Sequence, residues 1–309
     1  MTVELLPPDE IARLEGLSVR ARAVTEGVFS GMHRSVHRGA SRDFSDHKEY
    51  SPGDDIRNLD WKAYARFDRP LIRRYESETE RGALILLDVS PSMDFGEGAL
   101  TKLDFARVTA AALAFILLGQ RDRVGLALLG VACRSAVPIR ARGDQLAALL
   151  ASLDQARPDT GASPAALAES LAEAADQAPR RSLVIVLSDL LDPRPELPGA
   201  LRRLATAGRE VVVFQLLSPS EERFPYDGHR KFLSDELPGV ELTVDARAVR
   251  RGYLEALASL RADVSRAATE TGFTFLSRAT SEAPAGLILD WIGMRHPGGG
   301  RAPRPRVRS

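Results

Sequence analysis

The sequence predicts an α/β fold built on a doubly wound, mainly parallel sheet. From residue 83 onward, short apolar runs alternate with stretches in which apolar residues recur at helical spacing. Short apolar runs are typical of parallel strands that are buried on both faces, and their alternation with helices favours right-handed crossovers. The run at residues 83–87 ends in Asp88, Ser90 and Ser92, and ligands collect where parallel strands end.

Each predicted strand is a short run of apolar residues. The runs fall at residues 84–87, 123–129, 135–139, 182–187, 210–216 and 272–276. Pro138 places the third strand at an edge of the sheet, because proline has no N–H to donate to a neighbouring strand. The fourth strand ends at Ser188 and Asp189, so a second carboxylate is expected at the carboxyl edge of the sheet.

The predicted helices are recognised by their periodicity and by the residues at their ends. They cover residues 8–28, 103–118, 144–153, 164–177, 198–207 and 247–271. The second begins near Thr101 or Lys102 and ends at Gly119, and Gly208 closes the fifth. Pro164 suits the first position of a helix, where its missing N–H costs nothing.

The loop that follows the first strand of the sheet supplies three oxygen-bearing side chains, from Asp88, Ser90 and Ser92. Oxygen ligands suit a hard cation such as Mg²⁺, which keeps several waters when it binds a protein. This Asp-x-Ser-x-Ser loop resembles the metal-ion-dependent adhesion site of von Willebrand factor A domains. The resemblance leaves open whether the ion is Mg²⁺, Mn²⁺ or Ca²⁺.

The same resemblance implies two further ligands from other loops. The third loop would supply Asp189, holding the ion through water, with Asp192 as an alternative. The second loop would supply a hydroxyl from Thr160 or Ser163, and Ser163 could instead be the N-cap of the following helix. Two carboxylates and three hydroxyls make a weak Mg²⁺ site, which an acidic group from a partner could complete.

A second motif lies ahead of the first strand of the sheet, where carboxylates and arginines surround a tryptophan. Its residues are Tyr50, Pro52, Gly53, Asp54, Asp55, Arg57, Asp60, Trp61, Ala65 and Arg66. Pro52 and Gly53 favour a tight turn, and the arginines can pair with the carboxylates. The motif is either an internal brace or a partner-recognition surface.

These two motifs in this order resemble the domain-of-unknown-function-58 family of bacterial proteins. The resemblance implies a von Willebrand factor A-like domain at residues 82–280, preceded by a family-specific extension at residues 1–81. Residues 281–309 form a C-terminal segment whose Pro/Arg-rich tail is predicted to be disordered.

The family resemblance implies a non-enzymatic, divalent-cation-dependent interaction module. Its expected role is that of an adaptor or co-chaperone for a MoxR-type AAA+ ATPase acting on a protein client. The alternative is a metal-dependent hydrolase with its nucleophile in the Asp88 loop. A haloacid dehalogenase-type phosphatase is disfavoured, since Ser90 stands where that chemistry needs a second acid.

Composition excludes several other classes of protein. Lys+Arg and Asp+Glu both total 42, so no overall field favours nucleic acid. The acidic N-terminus does not resemble a secretory signal, and the apolar stretch at residues 110–118 is too short to span a membrane. We therefore expect a cytoplasmic protein, with recruitment to a membrane through a partner left open. Cys133, the one cysteine, is expected to be a small buried hydrophobe.

Overall fold

The structure is a computed structural model that describes residues 5–38, 47–49, 71–73, 82–159, 166–192, 194–235 and 239–295. Within these ranges the strands are β1 (His47–Glu49), β2 (Leu71–Arg73), β3 (Gly82–Asp88), β4 (Arg123–Leu129), β5 (Cys133–Arg140), β6 (Leu183–Ser188), β7 (Glu210–Leu217), β8 (His229–Leu233), β9 (Glu241–Asp245) and β10 (Thr274–Ala279). The helices are α1 (Pro8–Arg13), α2 (Leu17–Arg38), α3 (Lys102–Gly119), α4 (Gln145–Gln155), α5 (Ala166–Gln177), α6 (Leu197–Leu204), α7 (Pro219–Arg223), α8 (Ala246–Thr271) and α9 (Pro284–Arg295).

A six-stranded sheet in the order β10-β7-β6-β3-β4-β5 forms the centre of the molecule. All neighbouring strands in it are parallel except β4 and β5, which are antiparallel. The mainly parallel α/β sheet predicted from the sequence is therefore confirmed. Strand β5, which contains Pro138, lies at one edge as expected.

The strand β3 supplies both faces of the sheet with apolar side chains. Ala83, Ile85 and Leu87 belong to one core and alternate with Leu84 and Leu86, which belong to the other. This alternation follows from the two-residue period of a strand. Because β3 also has a parallel neighbour on each side, its carboxyl end lies in the middle of one edge of the sheet.

Helices from both ends of the chain pack on the first of these faces. Helix α3 lies over the sheet, and α2 and α9 pack against α3. Val24 and Val28 of α2 share a core with Ile288 and Trp291 of α9. The other face is covered by α5, α6 and α8. The division at residues 81 and 280 remains a prediction, but a single core contains residues from both sides of it.

The predicted helix over residues 8–28 is wrong as a single element. The chain leaves the helix at Leu14, whose backbone is extended, and Gly16 has a φ of +79°. This left-handed conformation is open to glycine at little cost and interrupts a helix. A second helix then starts at Leu17 and runs to Arg38, beyond the predicted end.

The described elements that were not anticipated from the sequence are β1, β2, α7, β8, β9 and α9. Strands β8 and β9 form an antiparallel pair, and α9 follows the last strand of the central sheet. Both strands are largely exposed and rich in charged residues, so they lack the apolar run by which the other strands were recognised. Among the described residues, no helix is both long and apolar enough to cross a membrane.

Candidate functional site

The Asp88 carboxylate lies at the carboxyl end of β3, where the side chain is almost wholly buried, with 1% exposed. Each of its two carboxylate oxygens accepts a hydrogen bond from a different group. Oδ1 accepts a hydrogen bond from the backbone N–H of Ser90 at 2.8 Å, and Oδ2 accepts one from the Ser188 hydroxyl at 2.5 Å. The sheet and the loop therefore fix the orientation of this carboxylate.

The two loop serines lie together, as the spacing predicts. Ser90 Oγ is 3.0 Å from Ser92 Oγ, and both residues are half-buried. A short 3₁₀ turn over Pro91–Asp94 holds this geometry, with Ser90 at its N-cap. Asp88, Ser90 and Ser92 thus offer carboxylate and hydroxyl oxygens at the carboxyl end of one strand.

Asp189 lies at the carboxyl end of β6, the neighbouring parallel strand, as predicted, and only 2% of it is exposed. Both of its oxygens have partners within the chain. Oδ2 is 2.7 Å from the Lys102 ammonium, and Oδ1 accepts a hydrogen bond from the Leu191 N–H at 2.9 Å. The Asp189 carboxylate is therefore already paired with a cation of the same chain, the Lys102 ammonium.

Lys102 is a site residue that the sequence analysis identified only as a helix start. It is the first residue of α3, its side chain is fully buried, and Nζ also lies 2.5 Å from Glu221 Oε1. Burial alone would lower the pKa of this ammonium, but the charges of Asp189 and Glu221 raise the pKa above its usual value. Lys102 is therefore held in its charged form.

Among the described residues, the charges of this cluster do not balance. When ionised, the buried carboxylates of Asp88 and Asp189 and the half-buried carboxylate of Glu221 carry three negative charges, against the one positive charge of Lys102. Burial, followed by the charge of Asp189, raises the pKa of Asp88 to about 7. A divalent cation beside Asp88 would neutralise the remaining charge, and the available oxygens are of the type that Mg²⁺ binds.

The second-loop residues Thr160 and Ser163 lie outside the described part of the chain. The residue before them is described: the N–H of Asp159 donates a hydrogen bond to the Val89 carbonyl at 2.7 Å. The chain thus enters the second loop directly beside the loop of Asp88. This proximity is consistent with a second-loop ligand and does not decide between the two hydroxyls.

Asp192, the alternative third-loop ligand, is engaged elsewhere. Its Oδ2 accepts a hydrogen bond from the N–H of Ala168 in the first turn of α5, at 3.2 Å. Its Oδ1 accepts one from the Arg194 N–H at 3.0 Å. These contacts tie the loop after β6 to α5.

The residues of the N-terminal motif lie in sequence between β1 and β2 and outside the described residues. They are Tyr50, Pro52, Gly53, Asp54, Asp55, Arg57, Asp60, Trp61, Ala65 and Arg66. Their assignment as a brace or a partner surface therefore stays a prediction.

Within the described ranges, no group of three or more His, Cys, Asp or Glu side chains is arranged to hold a metal ion. An ion at Asp88 would accordingly depend on hydroxyls and water.

Comparison with known proteins identifies the family of this chain. The family described as "Protein of unknown function DUF58" matches residues 46–263. The chain belongs to the DUF58 family. One relative is "Uncharacterized protein Rv1480" of Mycobacterium tuberculosis (strain ATCC 25618 / H37Rv). The two sequences are 30% identical over 304 residues, which cover 94% of this chain and 91% of the relative. The family resemblance drawn from the two sequence motifs is thus confirmed.

The structural neighbours of this DUF58 protein include von Willebrand factor A domains. The conserved hypothetical protein BatB from Bacteroides thetaiotaomicron is 16% identical, with a TM-score of 0.44, over 69% of this chain and 97% of BatB. The SpRpn10 VWA domain is 13% identical, with a TM-score of 0.39, over 73% of this chain and all of that domain (100%). The part of the predicted fold class that the chain's own geometry confirms is the α/β architecture with a mainly parallel sheet.

Proposed function

We propose that this DUF58 protein is a non-enzymatic interaction module whose contact with a partner depends on a divalent cation at the Asp88 loop. The observation that carries the proposal is the unbalanced negative charge buried at the carboxyl edge of the sheet. A buried carboxylate without a counter-charge is costly, and a bound cation would relieve that cost. Burial, followed by the charge of Asp189, raises the pKa of Asp88 to about 7, and a cation bound beside this carboxylate would oppose that rise.

The proposed ion is held by Asp88, Ser90 and Ser92, with Asp189 acting through water. A role through water suits Asp189, because the Lys102 ammonium and the Leu191 N–H already use its two oxygens. Thr160 is the proposed second-loop ligand. Bound Mg²⁺ would supply positive charge and open coordination positions, which an acidic side chain of a partner could fill.

A hydrolase with its nucleophile in the same loop has less support. Such an enzyme needs a general base beside the nucleophile, with a pKa near the operating pH. The amine of this cluster, Lys102, is paired with two carboxylates that keep it protonated, so it cannot accept a proton. The carboxylate of Asp88 is oriented by Ser188 and by a backbone N–H.

The proposed partner is a MoxR-type AAA+ ATPase that acts on a protein client. Support for this partner comes from the family resemblance. The Tyr50–Arg66 motif is proposed as a second partner surface, distinct from the ion loop. The proposed location is the cytoplasm, where such ATPases have ATP and Mg²⁺ available.

A thermal melt with and without ions tests the ion site. Ligand that binds only the folded state stabilises it by RT ln(1 + [L]/Kd), which is about 2.7 kcal/mol at a hundredfold excess over Kd. Millimolar Mg²⁺ or Mn²⁺ should raise the Tm of the wild type relative to EDTA and leave that of Asp88→Ala unchanged. Asp104→Ala removes a half-buried acid of α3 that pairs with Arg107, and this variant should keep the shift. Equal melts for the wild type in all buffers would refute the ion site.

Binding assays test the adaptor role separately. The MoxR-type ATPase encoded nearest to this protein would be immobilised, and the wild type, Asp88→Ala and Asp104→Ala passed over it in Mg²⁺ and in EDTA. The proposal expects binding in Mg²⁺ that is lost in EDTA and in Asp88→Ala alone. Equal binding of all three proteins in EDTA would show that the contact does not use the ion.

A further inference from the structure

The Lys102 ammonium joins two parts of the chain that are far apart in sequence. Asp189, its first partner, is 87 residues away and lies at the carboxyl end of β6. Glu221, its second partner, is 119 residues away and lies on α7. One side of this link is therefore the candidate ion site, and the other side is the segment that leads into the β8–β9 hairpin (residues 229–245).

Glu221 is fixed on α7 by three further contacts. Its Oε2 accepts a hydrogen bond from the Ser218 N–H at 2.8 Å, and its own N–H donates to Ser218 Oγ, which completes a capping box. Its backbone carbonyl accepts a hydrogen bond from the Tyr253 hydroxyl at 2.8 Å. A change in the position of Glu221 must therefore be shared by the whole of this short helix.

An aromatic cluster connects α7 to the hairpin. Phe224 follows the helix directly in a left-handed conformation, with φ of +46°. Its ring packs against Tyr226, Phe232 of β8 and Tyr253 of α8, with centroid distances of 5.2, 5.7 and 4.9 Å. Packed rings of this kind transmit displacement because protein interiors have few voids to absorb it.

A second contact ties the hairpin to the ion loop from the other side. The Tyr226 hydroxyl donates to Glu97 Oε1 at 3.2 Å. Glu97 lies in the loop that follows the Asp88 turn, and Tyr226 belongs to the same aromatic cluster as Phe232. The ionic contact between Lys102 and Glu221 and the surface hydrogen bond between Tyr226 and Glu97 thus both connect the base of the hairpin to the candidate site.

We propose that Lys102 couples ion occupancy at the Asp88 loop to the order of the β8–β9 hairpin. The inference rests on the proposed ion site. A divalent cation beside Asp88 and Asp189 competes with the ammonium for the charge of Asp189, because like charges repel strongly where water is excluded. The ion pair between Lys102 and Glu221 then becomes stronger, and this stronger contact restrains α7 and the hairpin.

The hairpin has the features of a surface that can respond in this way. Its strands are short, and within the described part of the chain they pair with each other and with no other strand. Leu233 and Leu242 are 66% and 59% exposed, so the hairpin has little core of its own. An isolated two-stranded hairpin is only marginally stable, and its order depends on what holds its base.

Hydrogen–deuterium exchange of the full chain tests the coupling. Exchange would be followed in peptides from β8 and β9, in EDTA and in Mg²⁺, for the wild type, Glu221→Gln and Glu222→Gln. Glutamine keeps the capping box but removes the charge that Lys102 contacts. Glu222 is the matched control, because it lies on the same helix and pairs with Arg261 at 3.2 Å.

The coupling predicts that Mg²⁺ slows hairpin exchange in the wild type by at least about fivefold, the lower end of ordinary coupling between sites. Glu222→Gln should behave like the wild type, and Glu221→Gln should lose the effect while its Mg²⁺-induced rise in Tm persists. A rise in Tm without any change in the wild-type hairpin would overturn the coupling alone. An unchanged Tm in the wild type would overturn the ion site and the coupling together. The comparison of wild-type hairpin exchange in Mg²⁺ and in EDTA tests the coupling even if Glu221→Gln fails to fold.

Discussion

Ser188 donates a hydrogen bond to Asp88 across two neighbouring strands, with Oγ 2.5 Å from Oδ2. The contact is possible because β3 and β6 are parallel and in a register that pairs Leu87 with Leu187. The Ser188 hydroxyl also accepts a hydrogen bond from the Leu190 N–H at 2.9 Å. A single buried hydroxyl therefore orients the carboxylate of the ion loop and anchors the loop that carries Asp189.

Replacing Ser188 by alanine tests this orienting role. Ser188→Ala leaves the Leu190 N–H and one Asp88 oxygen without this partner, so the free energy of unfolding should fall by about 1–3 kcal/mol. Urea denaturation in EDTA measures the loss, and Mg²⁺ titration of the Tm measures the ion affinity. Ser182→Ala is the matched control: this buried serine precedes β6 at the opposite end and donates to the Pro179 carbonyl at 2.7 Å. It should lose stability but keep the affinity for Mg²⁺.

The raised pKa of Asp88 predicts how stability depends on pH in the absence of an ion. The pKa of Asp88 is about 7 in the folded chain and near its ordinary value of 3.8 when unfolded, so between these values the folded state binds more protons. The stabilising contribution is thus complete below the unfolded pKa and is lost as pH rises through about 7. In EDTA, the Tm of the wild type should be higher at pH 6 than at pH 8.

Two comparisons isolate the contribution of Asp88 to this pH dependence. Asp88→Asn cannot ionise, so its Tm should change less between the two pH values than that of the wild type. Adding Mg²⁺ should reduce the wild-type difference, because the ion favours the ionised carboxylate. If the Tm of Asp88→Asn changes with pH as much as that of the wild type, the pH dependence comes from a group other than Asp88.

Removing the Lys102 ammonium should be among the most destabilising single changes in the sheet region. Lys102→Met leaves Asp189 and Glu221 without their shared counter-charge, and breaking a buried ion pair by removing one partner costs about 3–5 kcal/mol. The triple variant Lys102→Met/Asp189→Asn/Glu221→Gln should recover most of the loss, since it removes the unpaired charges. Urea denaturation of both variants measures the difference.

An exposed lysine provides the control for that experiment. Lys231 pairs with Glu241 at 2.6 Å, but its side chain is 55% exposed. Lys231→Met should therefore change the free energy of unfolding by less than about 1 kcal/mol. Similar losses from the two lysine substitutions would contradict the assignment of Lys102 to a buried ionic cluster.

Helix α9 should be required for the stability of the whole domain. Ile288 is fully buried, in one core with Val24 and Val28 of α2. Ile288→Ala removes buried apolar volume and should cost about 2–5 kcal/mol, measured as a lower urea midpoint. Met294→Ala on the same helix alters a side chain that is 49% exposed, so it should have little effect. A small effect of Ile288→Ala would favour an appended, independent C-terminal segment.

The sequence predicted the two acids of the site because each follows an apolar strand. The apolar runs placed Asp88 and Asp189 at strand ends, the family resemblance implied their role as ligands, and adjacency of their strands brings them to the same edge of the sheet. Lys102 and Ser188 were not recognised as partners, because those contacts depend on strand register and on the direction of a buried side chain. Glu221 lies 119 residues from Lys102, and nothing local in the sequence links the two.

The fold shows the same division between local signals and tertiary effects. Strands such as β6 and β7 are continuous apolar runs and were placed within one residue of their ends. The β8–β9 hairpin is charged and exposed, so its pairing carried no hydrophobic signal. The helix break at Gly16 could not be predicted from the spacing of apolar residues, because it depends on the positive φ of this glycine.

The buried position of Cys133 makes the protein well suited to site-specific labelling. This cysteine is the only one in the sequence, and only 7% of it is exposed at the start of β5. Burial and the nearby charge of Glu173 raise the pKa of its thiol to about 11, so it stays protonated and unreactive near neutral pH. A cysteine introduced at Leu242, on the exposed hairpin, would therefore accept a fluorophore while the native thiol remains in place. Single-molecule experiments on this chain need no cysteine-free background.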